Sequence, residues 1–173
     1  MMQRPFAQAI VLSVALSLLA ASSSGSGPAT ALDQHGRGHV VEGPSGRLTL
    51  LEFAASWCAP CRTTLPRLAA FARQHPELRV LAVSVDERRA ARDELVAALD
   101  LDLPLLWDEG HRIAELYQPE AMPAALLISA DGKVLHRALG SRTDDWDALV
   151  RRVEEELRRA SGTVSRPARP QPR

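Results

Sequence analysis

The chain has 173 residues, 46% of them apolar, and its 21 basic side chains are matched by 21 acidic ones for a formal net charge of zero. That length suits one domain with a buried core and is too short for two ordinary ones. The even charge balance offers no field to gather nucleic acid or an anionic membrane surface, which sets aside functions that rest on such a field.

The N-terminus reads apart from the rest. Arg4 supplies a positive start, Ala7 to Ala21 is an almost uncharged apolar run, and a stretch of serine and glycine leads to Ala29-Thr30-Ala31, which fits an A-x-A cleavage site. The apolar run is shorter than the ~20 residues a spanning helix needs. Residues 1–31 are therefore expected to be a signal peptide, cleaved after Ala31 or nearby, or else an uncleaved anchor holding the same domain at the outer membrane face. Both alternatives export the domain, to the periplasm or beyond. No cysteine lies near the cleavage region, so a lipid-modified cysteine is not the tether. Residues 32–46 are expected to be a flexible N-terminal segment, ahead of one domain over 47–160.

Within that domain, Arg47 to Ala55 is a short apolar run with the look of a strand buried on both faces. From Pro60 to His75, Leu65, Leu68, Ala69 and Phe71 recur near helical spacing, with Pro66 expected to bend the helix. Arg79 to Asp86 is the clearest strand, and Glu87 to Leu99 a helix with Ala91, Leu95 and Leu99 on one face. This β-α-β-α order implies a parallel sheet with right-handed crossovers. Leu103 to Trp107 follows as a short strand and Glu109 to Tyr117 as a short helix ended by Pro119. Ala124 to Ala130 and Lys133 to Leu139 form two strands joined at Asp131-Gly132, a dipeptide that favours a tight hairpin, and they add an antiparallel edge. A last helix from about Asp144 to Ala160 presents Trp146, Leu149, Val150, Val153 and Leu157 inward, with Thr143 as its N-cap. The tail 161–173, rich in proline and arginine, is expected to be disordered. The fold class is thus α/β, a central mixed sheet with helices on both faces.

Only two cysteines exist, Cys58 and Cys61. A disulfide across two intervening residues removes little unfolded-state entropy, so the spacing points to redox chemistry or metal binding and away from stapling. If Cys58 sits at the N-terminus of the helix containing Cys61, free backbone N–H groups and the helix dipole favour its thiolate, which is the nucleophile. Cys61, a turn further in on the same side, is placed to resolve the resulting mixed disulfide. Pro60 suits a helix start, since it fixes φ and needs no hydrogen-bond acceptor. The competing reading is half of a zinc site, which needs two more ligands. His35, His39, His75, His111 and His136 supply no second pair at zinc-finger spacing, and no metal is expected.

The string L-L-E-F-A-A-S-W-C-A-P-C-R, followed by Pro66, Val83-Ser84-Val85-Asp86, Met122-Pro123 and Asp131-Gly132-Lys133, resembles the thioredoxin-like fold, and most of all its exported TlpA/ResA-like branch, over about residues 47 to 157. The resemblance implies that Pro123 is a cis-proline beside the cysteine pair, holding substrate backbone extended, with the backbone of Met122 pairing with the same substrate. It implies that Trp57 packs beside the nucleophile and that Pro66 kinks the helix. It also implies that Glu52, which lies within an apolar run, exchanges a proton with the Cys61 thiol, its pKa raised by desolvation; the alternative is a solvated strand-end carboxylate. The exported branch often places an acid three residues after the second cysteine, and this chain has Thr64 there, which suggests that Glu52 replaces the usual acid. Asp86, Trp107 and Asp108 are lesser candidates for the rim of the site.

The function so implied is an exported thiol-disulfide oxidoreductase acting on protein thiols and disulfides. Its direction is read as reductant or isomerase, similar to proteins that prepare cysteines for cytochrome c haem attachment or metal-centre assembly. No cofactor is expected, but a membrane thiol carrier is implied as electron donor. A disulfide-forming oxidase is the same-class alternative, and a copper-binding carrier module the alternative from another class. A peroxidase of the same broad fold is disfavoured, because its P-x-x-x-T-x-x-C setting is not met by Ala55-Ser56-Trp57 ahead of Cys58.

Overall fold

In the computed structural model, which describes residues 28–164, β3 (Thr49–Ala54) is the middle strand of a five-stranded sheet and every one of its residues is buried. Its composition explains its place: TLLEFA carries apolar side chains on both faces, which only a strand covered on both sides can bury. β4 (Arg79–Ser84) runs parallel beside it and β5 (Leu105–Trp107) parallel beyond that, while β6 (Ala124–Ile128) and β7 (Val134–Leu139) extend the other side antiparallel, giving the order β5-β4-β3-β6-β7. The expected mixed α/β sheet is what the chain forms. Gly132, at φ +89°, makes the β6–β7 turn, and a Cβ there would meet the carbonyl carbon of Gly43 at 2.7 Å, so glycine is required twice over.

The helices cover the sheet in two layers. α1 (Cys61–Gln74) buries Leu65, Leu68, Ala69 and Phe71, and α4 (Thr143–Val164) buries Leu149 and Val153. Phe71 and Trp146 meet edge-on at 5.7 Å, which locks these two helices together. α2 (Arg89–Leu99) and α3 (Arg112–Tyr117) complete the set, with the Tyr117 ring tilted against Phe53 at 6.4 Å between centroids. Since Glu52 and Phe53 point to opposite faces of β3, the partners they find, Thr64 of α1 and Tyr117 of α3, show that both faces are covered.

Three boundaries differ from the sequence reading. The segment expected to be flexible over 32–46 instead includes a hairpin, β1 (Thr30–Leu32) with β2 (Gly38–Val40), in which Ala29, Ala31, Asp33 and Val41 are buried. Gln34, in the loop between its strands, bonds the chain at the start of β5, its Nε2 donating to the Leu103 carbonyl and its Oε1 accepting the Leu105 N–H, each at 2.9 Å. The segment thus covers a sheet edge that otherwise stands open to solvent. The expected boundary at 31 accordingly falls inside β1.

Secondly, the helix expected over Glu109 to Tyr117 is a 3-10 turn at Glu109–His111, then α3, because Gly110 and His111 take positive φ. Lastly, α4 starts at Thr143, the residue expected to cap it, and passes the expected end at 160 to reach Val164. Ion pairs of Arg158 with Glu154 and Arg159 with Glu155 at i,i+4 support that final stretch. The apolar run of the expected signal peptide and the end of the tail lie outside the described residues. Among the described residues no helix is long and apolar enough to cross a membrane.

Candidate active site

The cysteines occupy the connection between β3 and α1. Beyond Ala54 the chain turns twice: the Cys58 N–H donates to the Ala55 carbonyl and the Cys61 N–H to the Cys58 carbonyl, each at 3.1 Å, and α1 begins at Cys61. Cys58 therefore sits in the turn just ahead of α1, and the helix expected from Pro60 starts one residue later, with Pro60 as its N-cap. This loop is tied to the sheet by Asp86. Its carboxylate accepts the Ser56 N–H at 3.0 and 3.1 Å, the Ser56 hydroxyl at 2.7 Å and the Ser84 hydroxyl at 2.8 Å, and the Trp107 indole N–H bonds its carbonyl at 2.9 Å. Asp86 and Trp107, lesser candidates by sequence, thus support the cysteine loop. Asp108 serves α3, accepting the N–H groups of Ile113 and Ala114 at 2.9 and 2.8 Å.

Cys58 and Cys61 are joined as a disulfide, with 2.00 Å between the sulfurs and 5.3 Å between the Cα atoms. Cys61 is wholly buried and Cys58 nearly so, at 4% exposure. The Cys61 N–H points at the Cys58 sulfur from 3.2 Å, a donor that favours negative charge on that atom once the bond is reduced. Around the pair, Ala59 and Pro60 are exposed, and Trp57, expected to pack beside the nucleophile, stands 67% exposed. The Met122–Pro123 bond is cis, with Pro123 buried and Met122 half-buried at the start of β6.

Glu52 is the charged residue that composition singled out, and it is enclosed. Its neighbours across the sheet are Ala82 and Ala125, which carry no polar side chain to solvate it. Burial pushes its carboxyl up to about 7, while the Thr64 hydroxyl, donating to Oε1 at 2.6 Å, and the charge of Arg67 pull the other way. The solvated-carboxylate alternative is incompatible with an exposure of 2%. Glu52, Thr64 and Pro123 line one cavity of about 20 Å³, which is room for about one water, and Arg67, Arg142, Asp145 and Trp146 line it as well.

Sequence reasoning missed the Ser56 and Ser84 anchors, whose role depends on a contact between two strand ends. It named Thr64 only as the residue where an acid was expected. Among the described residues no three His, Cys, Asp or Glu side chains gather as a metal site.

Residues 28–137 match the AhpC/TSA family, more than half of the chain. The chain belongs to that family. The match begins at residue 28, so it takes in the β1–β2 hairpin and agrees with a folded unit that starts well before position 47. Among the relatives of this AhpC/TSA chain, a thiol-disulfide oxidoreductase ResA of Bacillus cereus is 28% identical over 115 residues, or 65% of this chain and 66% of the relative. The chain therefore spans just under two thirds of that relative's length.

Among solved structures, thiol:disulfide interchange protein DsbE of Chlorobium tepidum superposes with a TM-score of 0.68 at 25% identity, covering 76% of this chain and 94% of the other. The exposed lipoprotein thioredoxin Etrx1 of Streptococcus pneumoniae, at 24% identity and TM-score 0.65 over 75% of this chain and 99% of its own, shares the fold. The thioredoxin-like fold expected from the W-C-x-P-C string is thus the fold of the chain, and its homologues are named thiol-disulfide oxidoreductases.

Proposed function

We propose that the protein is an exported thiol-disulfide oxidoreductase that exchanges disulfides with protein substrates through Cys58 and Cys61, working as a reductant or isomerase. One observation carries the reading: a cysteine pair closes at the start of α1, and a buried carboxylate lies below the helix face that bears its inner sulfur. Starting reduced, the Cys58 thiolate attacks a substrate disulfide; a sulfur–sulfur bond to Cys58 forms and the first substrate thiolate leaves. Glu52 then accepts the Cys61 proton as the Cys61 sulfur attacks Cys58, which releases the second substrate thiolate and leaves the internal disulfide. A carboxyl near 7 both takes and returns a proton at working pH.

Exposed Trp57 and Pro60, with Met122 and cis-Pro123, would line the approach of substrate. Returning the enzyme to its dithiol needs two electrons, for which a membrane thiol carrier is the expected source. Export rests on the N-terminal pattern. Because Ala29 and Ala31 are buried in the hairpin, a cleavage that spares the fold falls before Ala29.

The test is Cys61→Ser expressed in the native host, which stalls the exchange on Cys58. Proteins captured there through a disulfide are the expected result, with the reductase or oxidase direction given by whether substrates are trapped in oxidising or reducing backgrounds. An empty set in both backgrounds rejects the oxidoreductase reading. Metal analysis of the reduced protein separates the copper-carrier alternative, which requires stoichiometric metal.

A further inference from the structure

Thr64 lies one helical turn beyond Cys61, at i,i+3 on α1, so the two side chains share a face, and both are buried. Its hydroxyl oxygen, Oγ1, donates to Oε1 of Glu52 at 2.6 Å, and the Cys61 carbonyl lies 3.5 Å from Oγ1 as a weak second acceptor. Among the described residues the Glu52 carboxylate makes no other hydrogen bond. The charged groups that share its cavity are Arg67 of α1, Arg142 just before α4, and Asp145 within α4; β4 and β6 present only Ala82 and Ala125. Both cations are occupied elsewhere. Arg67 stacks on the Trp146 ring at 4.6 Å, and Arg142 pairs with Asp145 at 2.9 Å. Among the described residues Thr64 is left as the sole hydrogen-bond donor to the carboxylate.

We propose that Thr64 is a positioning residue for the proton exchange between Glu52 and Cys61. By holding Oε1 it leaves Oε2 as the atom that takes the Cys61 proton when that sulfur attacks Cys58, and that gives it back when the disulfide is reduced again. The electrons balance within the exchange: the Cys61–Cys58 bond forms, the bond from Cys58 to the substrate sulfur breaks, and the substrate leaves as thiolate. The residue standing where an acid was expected would in this way tune the acid that replaces it. The inference rests on the oxidoreductase reading, and it predicts that the hydroxyl, not the volume, of residue 64 matters.

Thr64→Val keeps the shape and removes the donor, while Thr64→Ser keeps the donor. Two readouts are taken on the full chain: the titration of the Glu52 carboxyl in the reduced protein followed by carbon NMR, and the pH profile of thionitrobenzoate release, in stopped flow, from the mixed disulfide formed on Cys58 when the reduced protein meets dithiobis-nitrobenzoate. Loss of a hydrogen bond to the ionised form is expected to move both midpoints up by about one pH unit in Thr64→Val, with Thr64→Ser restoring them. Release at pH 7 should then slow by about fivefold, since less of the carboxyl is ionised. An unmoved midpoint, or a serine variant that behaves like valine, overturns the proposal. Should valine prevent folding, Thr64→Ala carries the same comparison. A wild-type protein that releases no thionitrobenzoate defeats the functional reading instead, and the NMR titration still decides the part played by Thr64.

Discussion

Two acidic side chains, one in the β1–β2 hairpin near the surface and one deep in the central strand, each leave only 2% of their surface exposed and yet carry opposite shifts. Asp33, in the hairpin turn, is surrounded by donors: the His35 and Arg37 N–H groups reach Oδ1 at 2.8 and 2.9 Å, and the Arg37 Nε and His39 Nε2 reach Oδ2 at 2.9 Å. A carboxylate only accepts, so Nε2 of His39 carries the hydrogen. Burial works to raise the Asp33 carboxyl, but the bonds from His39, Arg37 and His35 hold it well below the usual carboxylate range. Glu52 has a single hydroxyl and two alanines, and there burial wins. Low exposure alone therefore does not raise a carboxyl; depth in the sheet with few donors does. The hairpin acid is a structural anchor and the strand acid is held ready to titrate.

The largest effect that tests this contrast is the pH dependence of stability. Glu52 rises from an ordinary value of 4.5 to about 7 on folding, so between those values the native state holds more protons than the unfolded chain. Stability then falls as pH rises through that window, and the full penalty, about 3 kcal/mol, is present above it. Glu52→Gln removes the dependence. Urea unfolding of both oxidised proteins at pH 4 and pH 8 should show glutamine gaining on the wild type by about 3 kcal/mol at the higher pH. Parallel changes in the two proteins would place the rise in native proton affinity elsewhere.

Asp33 should behave in the opposite sense. Its folded carboxyl is lowered, so its stabilisation is complete above the ordinary value of 3.8 and is lost as pH falls through the lower folded one. Removing it at neutral pH leaves the hairpin donors without their acceptor, and Asp33→Ala should cost about 2 kcal/mol. Urea unfolding at pH 7 measures the loss, and backbone amide exchange should show β1 and β2 opening first. An Asp33→Ala protein as stable as wild type would mean that the hairpin is held by its buried alanines and by Gln34, not by the carboxylate.

The sequence made one of these two acids legible and hid the other. Glu52 stood out because Leu50, Leu51, Phe53 and Ala54 around it can only be interior, so a charge among them demands a reason. Asp33 sat in a polar stretch, Asp33-Gln34-His35-Gly36-Arg37, that reads as loop on composition alone, and only the folded hairpin shows four donors converging on it. The five strands of the main sheet were readable from period and length. The hairpin was not, since three-residue strands of mixed polarity carry almost no periodic signal. The cysteine pair was plain from its spacing. Its support was not, because Asp86 reaches Ser56 across thirty positions of sequence through a contact that no local pattern encodes.

The smallest effect separates charge from enclosure within the Asp33 cluster. Arg37 brings a formal charge, but its side chain is 64% exposed, whereas His39 is 19% exposed. Water and salt weaken the arginine pair, and exposed pairs of that kind contribute about 0.5 kcal/mol. A well-enclosed donor to a buried carboxylate contributes about 1 kcal/mol, because no water replaces it when it is removed. His39→Ala should therefore destabilise the protein more than Arg37→Ala, and only the arginine variant should lose its effect in high salt. Alanine at position 37 also keeps the backbone N–H that bonds Oδ1, which narrows the difference to the guanidinium alone. If the arginine variant proves the weaker protein in urea at both salt concentrations, net charge and not the number of enclosed donors keeps Asp33 ionised, and the contrast with Glu52 must then be sought in the distance of Arg67 from its carboxylate.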